Sequence, residues 1–92
     1  MSESGPYLGS ATNPPKEPVR MSLRLRSAIN EHRQKTGLRF FEIAARAGID
    51  RSMLSTLMHG KVVGRGDERL AKVGRYMWQI DGVAPEEWEE PA

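Results

Sequence analysis

Three residues, Gly48-Ile49-Asp50, constrain this chain more than any other stretch, because they stand between two short apolar patterns. Ile43, Ala44 and Ala47 on one side, and Leu54, Leu57 and Met58 on the other, carry the i, i+3, i+4 spacing of helices that each bury one face. Gly48 supplies a residue free to take positive φ and end the first helix, and Asp50 is a residue type that caps the next by accepting backbone N–H groups. So short a link makes the helices cross closely, which the small Ala44 permits, and turns Ile49 back into the angle between them. The pattern predicts a helix-turn-helix with Arg51, Ser52, Ser55 and Thr56 on the outer face of its second helix.

Those residues carry a family resemblance. Ile43-Ala44, Ala47-Gly48-Ile49, Leu54, Leu57 and the following Gly60-Lys61 resemble the helix-turn-helix of phage Cro and repressor proteins, the XRE type, over about residues 23 to 88. In that family the second helix lies in the DNA major groove and its N-terminal end and outer face touch base edges. The resemblance therefore implies base readout by Arg51, Ser52, Ser55 and Thr56, and phosphate contacts from Lys61 and Arg65 in the loop that follows. It implies a λ-repressor-like domain as well. Two positions depart from the pattern. Phe40 stands where the family opens its first motif helix with a phosphate-binding Gln or Ser, which passes that anchoring to Arg39 or to backbone N–H groups at Phe40. Met58 replaces a Glu that pairs in the family with an arginine of the preceding helix, matched here by Arg33.

The formal charge of +2 conceals an uneven distribution. From Arg20 to Arg75 there are thirteen basic and five acidic residues, whereas beyond Arg75 there are five acids, Asp81, Glu86, Glu87, Glu89 and Glu90, and no base. A basic body suits phosphate binding, since neutralising phosphates releases counterions and supplies most sequence-independent affinity. The acidic end with Trp88 offers a place for a protein partner. No cysteine is present, so neither a disulfide framework nor a thiolate metal site is available. No apolar run approaches the roughly 20 residues a membrane span needs, and none follows Met1 as in a signal peptide, which predicts a soluble, cytoplasmic protein associated with the nucleoid.

Ninety-two residues accommodate one small domain. Residues 1 to 20 hold Gly5, Pro6, Gly9, Pro14, Pro15 and Pro18 without an apolar period and read as a disordered arm, dispensable for folding, ahead of a domain over residues 21 to 90. Helix 1 is expected from Ser22, as N-cap, to Lys35, with Leu23, Leu25 and Ile29 inward and His32 at the surface. After the motif, Asp67 caps a helix running to about Gln79, and Gly74 within it marks the close approach of another backbone. Pro85 opens a short fifth helix with Glu86 and Glu87 in its first turn. The expected architecture is all-α, a compact bundle of about five short helices around the central helix-turn-helix.

Met77, Trp78, Ile80, Val83 and Trp88 present more apolar surface than one end of such a bundle requires. They either finish the monomer core or form a dimer seam; a homodimer is favoured, because one recognition helix reads only a few base pairs. The chain is expected to be a sequence-specific regulator that binds double-stranded DNA, most simply a dimeric repressor of a phage or prokaryotic operator. An antitoxin that regulates its own operon, or a protein-interaction adaptor, is the alternative. Only His32 and His59 are present, with no paired carboxylates in a pocket pattern and no glycine fingerprint after a strand, so no enzyme, cofactor or metal is expected.

Overall fold

The computed structural model describes residues 16–92. Strand β1 (Pro18–Met21) leads into helix α1 (Leu23–Thr36), followed by α2 (Phe40–Ala47), α3 (Arg51–Met58), strand β2 (Val63–Gly64), α4 (Glu68–Asp81), a 3-10 turn (Pro85–Glu87) and strand β3 (Glu89–Pro91). The expected all-α bundle of five helices is thus corrected: among the described residues, four α-helices pack with a three-stranded antiparallel sheet in the order β2-β1-β3. Val19 pairs with Val63 on one side and Pro91 on the other, and Met21 pairs with Glu89. The fifth helix expected at Pro85 is only a single 3-10 turn, closed by Glu87 N–H on Ala84 O at 2.8 Å, after which the chain extends into β3.

β1 also shortens the arm read over residues 1 to 20. Its burial alternates, Val19 and Met21 inward and Pro18 and Arg20 outward, as a half-buried strand requires. Val19 is 3% exposed and Met21 is fully buried, so residues 18–20 belong to the folded domain. The rest of that reading, over residues 1–15, lies outside the described residues.

Helix α1 begins where expected. Ser22 Oγ accepts from Leu25 N–H at 3.0 Å, the Ser22 hydroxyl donates to Glu87 O, and Ser22 N–H donates to Trp88 O at 3.0 Å. The buried stripe is Leu25, Ala28, Ile29 and His32. Leu23, read as inward, is 65% exposed because two residues at about 100° each turn it away from Leu25. His32, read as a surface residue, is buried, with Nε2 2.9 Å from the Tyr76 hydroxyl on α4.

The core joins all these pieces: Met21 from the sheet, Leu25 and Ile29 from α1, Ile43, Leu54 and Leu57 from the motif helices, and Leu70, Val73 and Met77 from α4. Gly74 does meet a close neighbour, though a ring and not a backbone, since a Cβ there would fall within the indole of Trp88. Trp88 Nε1 donates to Val83 O at 2.9 Å, and its ring meets Trp78 edge-on with centroids 6.2 Å apart. Among the described residues, no helix is long and apolar enough to cross a membrane.

Candidate functional site

Gly48 adopts φ 86° and Ile49 N–H donates back to Ala44 O at 2.9 Å, so α2 ends abruptly and the chain reverses within three residues. Asp50 occupies the N-cap of α3 in extended conformation, but its carboxylate accepts from the Ser52 hydroxyl and makes no side-chain bond to the helix amides. Asp50 O accepts from Leu54 N–H at 3.0 Å, starting the helical ladder. With Leu54 and Leu57 fully buried against the core, α3 turns Arg51, Ser52 and Thr56 into solvent, with Ser55 half-exposed.

Two depressions flank α3. One is lined by Arg39, Phe40, Phe41, Arg51 and Ser55, bringing two expected base readers together with the expected phosphate anchor of α2. Phe41, 50% exposed, lines the same depression as Arg39 and Arg51, an aromatic that sequence reasoning missed. The other is lined by Gly48, Ile49, Asp50, Ser52, Met53, Thr56, Arg69 and Lys72, so bases of α4 stand beside the second pair of expected readers. The hydroxyls on this side are already engaged: Thr56 Oγ1 donates to Ser52 O at 2.7 Å and Ser52 Oγ to Asp50. Their free lone pairs accept; their protons are in use.

Phe40 packs its ring against the core, with the Arg33 guanidinium carbon 4.1 Å above it. The ring thus takes up the arginine for which Met58 leaves no carboxylate, although Arg33 Nε stays buried without a hydrogen-bond partner among the described residues. What Phe40 offers an anion is the amide of a first helical residue. Lys61 is exposed just beyond α3. Arg65 stands apart from this group: its amide donates to Glu17 O at 2.9 Å, its Nε to Glu17 Oε1 at 2.7 Å, and its surroundings include Glu86, Glu89 and Glu90.

Ion pairing divides the thirteen bases. Arg20 and Arg26 meet Glu90 at 2.9 and 3.6 Å, Arg24 meets Glu87 at 3.7 Å, Arg65 meets Glu17, and Arg69 meets Asp67 at 3.0 Å. The other eight, Arg33, Lys35, Arg39, Arg46, Arg51, Lys61, Lys72 and Arg75, have no carboxylate within 4.0 Å among the described residues. Of the acidic end, Glu89 and Glu90 are partly buried, whereas Asp81, Glu86 and Glu87 stay exposed. Glu90 accepts from Leu23 N–H at 2.8 Å as well as from Arg20, which together hold its carboxyl below the usual glutamate value. The Arg69 guanidinium and the amides of Leu70 and Arg69 lower Asp67 likewise, against the opposing effect of its partial burial.

The five apolar seam candidates separate too. Met77 and Val83 are fully buried within one chain and so are corrected to core residues, whereas Trp78 and Ile80 are 50% and 43% exposed and Trp88 is half-buried. Among the described residues no three His, Asp or Glu side chains gather as a metal site. No protein-family model, curated protein or solved structure matches the chain.

Proposed function

We propose that this protein is a sequence-specific double-stranded DNA-binding regulator of transcription, resembling Cro and repressor proteins in its helix-turn-helix, that acts as a homodimer on a palindromic operator in the cytoplasm. The observation that carries this reading is the convergence of Arg39, Arg51 and Ser55 on one side of α3, with Ser52 and Thr56 on the other, on a helix freed by a three-residue turn. Neither arginine has an intramolecular carboxylate among the described residues. Arg51 is the base reader, its planar fork matched to guanine O6 and N7, a pairing worth about 1–3 kcal/mol of discrimination. Ser52 and Thr56, with their protons engaged, accept from exocyclic amino groups of cytosine or adenine. Ser55 is a second hydroxyl reader, and Phe41 supplies an apolar contact for a thymine methyl. Arg39, the Phe40 amide and Lys61 contact phosphates and set register. Arg65, tied to Glu17, contributes less than Lys61.

In the dimer, Trp78 and Ile80 form the seam with the exposed part of Trp88, and the two α3 helices enter major grooves about 34 Å apart. The test is selection of random duplexes by the purified full chain at about 0.15 M salt, followed by a footprint of the enriched sequence. A protected palindrome with half-sites one helical turn apart is the expected result. Absence of enrichment over random duplex ends this reading.

A further inference from the structure

The depression beside the motif turn does not end at Lys72. Lys72 also lines a neighbouring hollow with Arg46, Ala47, Gly48, Arg75, Tyr76 and Gln79. This second hollow contains three cations and no acid, and none of the three has a carboxylate within 4.0 Å among the described residues. The arrangement follows from local geometry. Lys72 and Arg75 are three apart on α4 and share a face, while Arg46 sits on the last turn of α2, next to the glycine at which that helix stops. The turn is also where the Lys72 stem lies, its Cδ 4.0 Å from the position of a Cβ on Gly48. The result is a track of positive charge that begins at Lys72, beyond Asp50 and the Asp67-paired Arg69 of the first depression, and continues to Arg46 and Arg75.

Three cations that line one hollow with no carboxylate within 4.0 Å among the described residues repel one another, and a polyanion relieves that repulsion. Its place next to α3 selects the polyanion. A helix in the major groove has a sugar-phosphate strand on each side of it, the groove being about 12 Å wide. Arg39 stands on one side of α3 and the track on the other, in the two depressions that flank it. We propose that Arg46, Lys72 and Arg75 form a second phosphate-contact surface that grips the DNA backbone bordering the groove entered by α3, on the side away from Arg39. This rests on the DNA-binding reading and adds residues to it from α4, which lies outside the helix-turn-helix. Such contacts position the protein and carry no sequence information.

The experiment measures affinity of the full chain for two 30-base-pair duplexes, the sequence enriched by selection and a random one, across a salt series. The variants are Arg75→Ala alone, the triple variant R46A/K72Q/R75A, and Arg51→Ala. Arg75→Ala is expected to reduce the slope of log affinity against log salt by about 0.9, and the triple variant by about 2.7. Both duplexes should lose affinity equally, so that the ratio between them stays at the wild-type value; Arg51→Ala should change that ratio. Helicity and melting temperature of each variant report folding, and Arg75→Ala, at an exposed position, keeps the test available if the triple variant unfolds. A wild-type slope and affinity in Arg75→Ala and in a folded triple variant overturn the proposal while leaving the DNA reading in place. Failure of the wild-type chain to prefer its selected duplex removes the DNA reading instead. Undiminished duplex binding together with lost binding to an RNA hairpin assigns the track to another polyanion and equally overturns the proposal.

Discussion

The helix-turn-helix side and the sheet side of this molecule are built by opposite means. α2, its turn and α3 are contiguous in sequence, each piece stopped or started by its neighbour, and their outer surface carries bases with no carboxylate within 4.0 Å among the described residues. The sheet joins residues 18–21, 63–64 and 89–91, and there nearly every base faces an acid: Arg20, Arg24 and Arg26 against Glu87 and Glu90, and Arg65 against Glu17. Glu17, Glu87 and Glu90 neutralise the bases around the sheet, whereas Arg39, Arg46, Arg51, Lys72 and Arg75 on the other side have no carboxylate within 4.0 Å among the described residues. Charge asymmetry here is a product of folding as much as of composition.

Deleting the central strand tests the sheet side most severely. A chain beginning at Met21 lacks Val19, all pairing with β2 and all but the Met21–Glu89 pairing with β3, so it should lose about 1.5–3 kcal/mol from the valine alone and more from unpaired backbone. For a domain of this size each kcal/mol lowers Tm by about 4–8 °C, which thermal circular dichroism reads directly. An unchanged Tm would remove β1 from the list of structural necessities. Next in size is Gly74→Ala. The added methyl displaces the Trp88 indole, and the overpacking should destabilise by about 1–3 kcal/mol despite the better helix propensity of alanine. Indole fluorescence should shift with it, and a stabilised variant would show that the ring moves aside freely.

Arg51→Ala addresses the other side. It should leave Tm within a degree or two while shrinking discrimination at one base pair by about 1–3 kcal/mol, measured as the ratio of affinities for the selected duplex and a single-site mutant. The smallest effect belongs to Glu90→Gln. Because the folded carboxyl sits below its ordinary value, its contribution is full above the usual carboxylate range of about 4 and disappears as pH falls through the lowered value. Asp67 acts in the same direction. Acid titration of Tm should therefore show a shallower fall in Glu90→Gln than in wild type, with a slightly lower plateau near neutrality. An identical acid limb would mean that the carboxylate does not hold the sheet to α1.

What was legible in sequence follows the same division. The helix-turn-helix can be read because its signals are local: apolar residues at helical spacing, a glycine at positive φ, and an Asp at the N-cap position, though that Asp binds Ser52 and not the backbone. The sheet cannot be read this way. Its strands are four, two and three residues long, too short for alternation to stand out, and two of them contain a proline that reads as a breaker. Glu89-Glu90-Pro91 looks like a solvated acidic end until Arg20 and the first amide of α1 are beside it. Val19 and Met21, alternate buried positions two apart, were the one available cue. At the candidate site, the outward placement of Arg51 and Ser55 was legible from the spacing of α3, while the grouping of Arg46, Lys72 and Arg75 was not, because only the packing of α4 against the motif turn brings them to one hollow.

The pairing of Arg20 with Glu90 has a consequence in time. The two residues are 70 positions apart, and β3 supplies one whole side of the central strand. At a synthesis rate of about 5–20 residues per second, β1 leaves the ribosome several seconds before its partner. Within that interval the helix-turn-helix is completed, at Met58, while the edge of β1 that β3 will cover stays unpaired until Glu89–Pro91 are made. The sheet is therefore the last part of the described structure whose residues are all present.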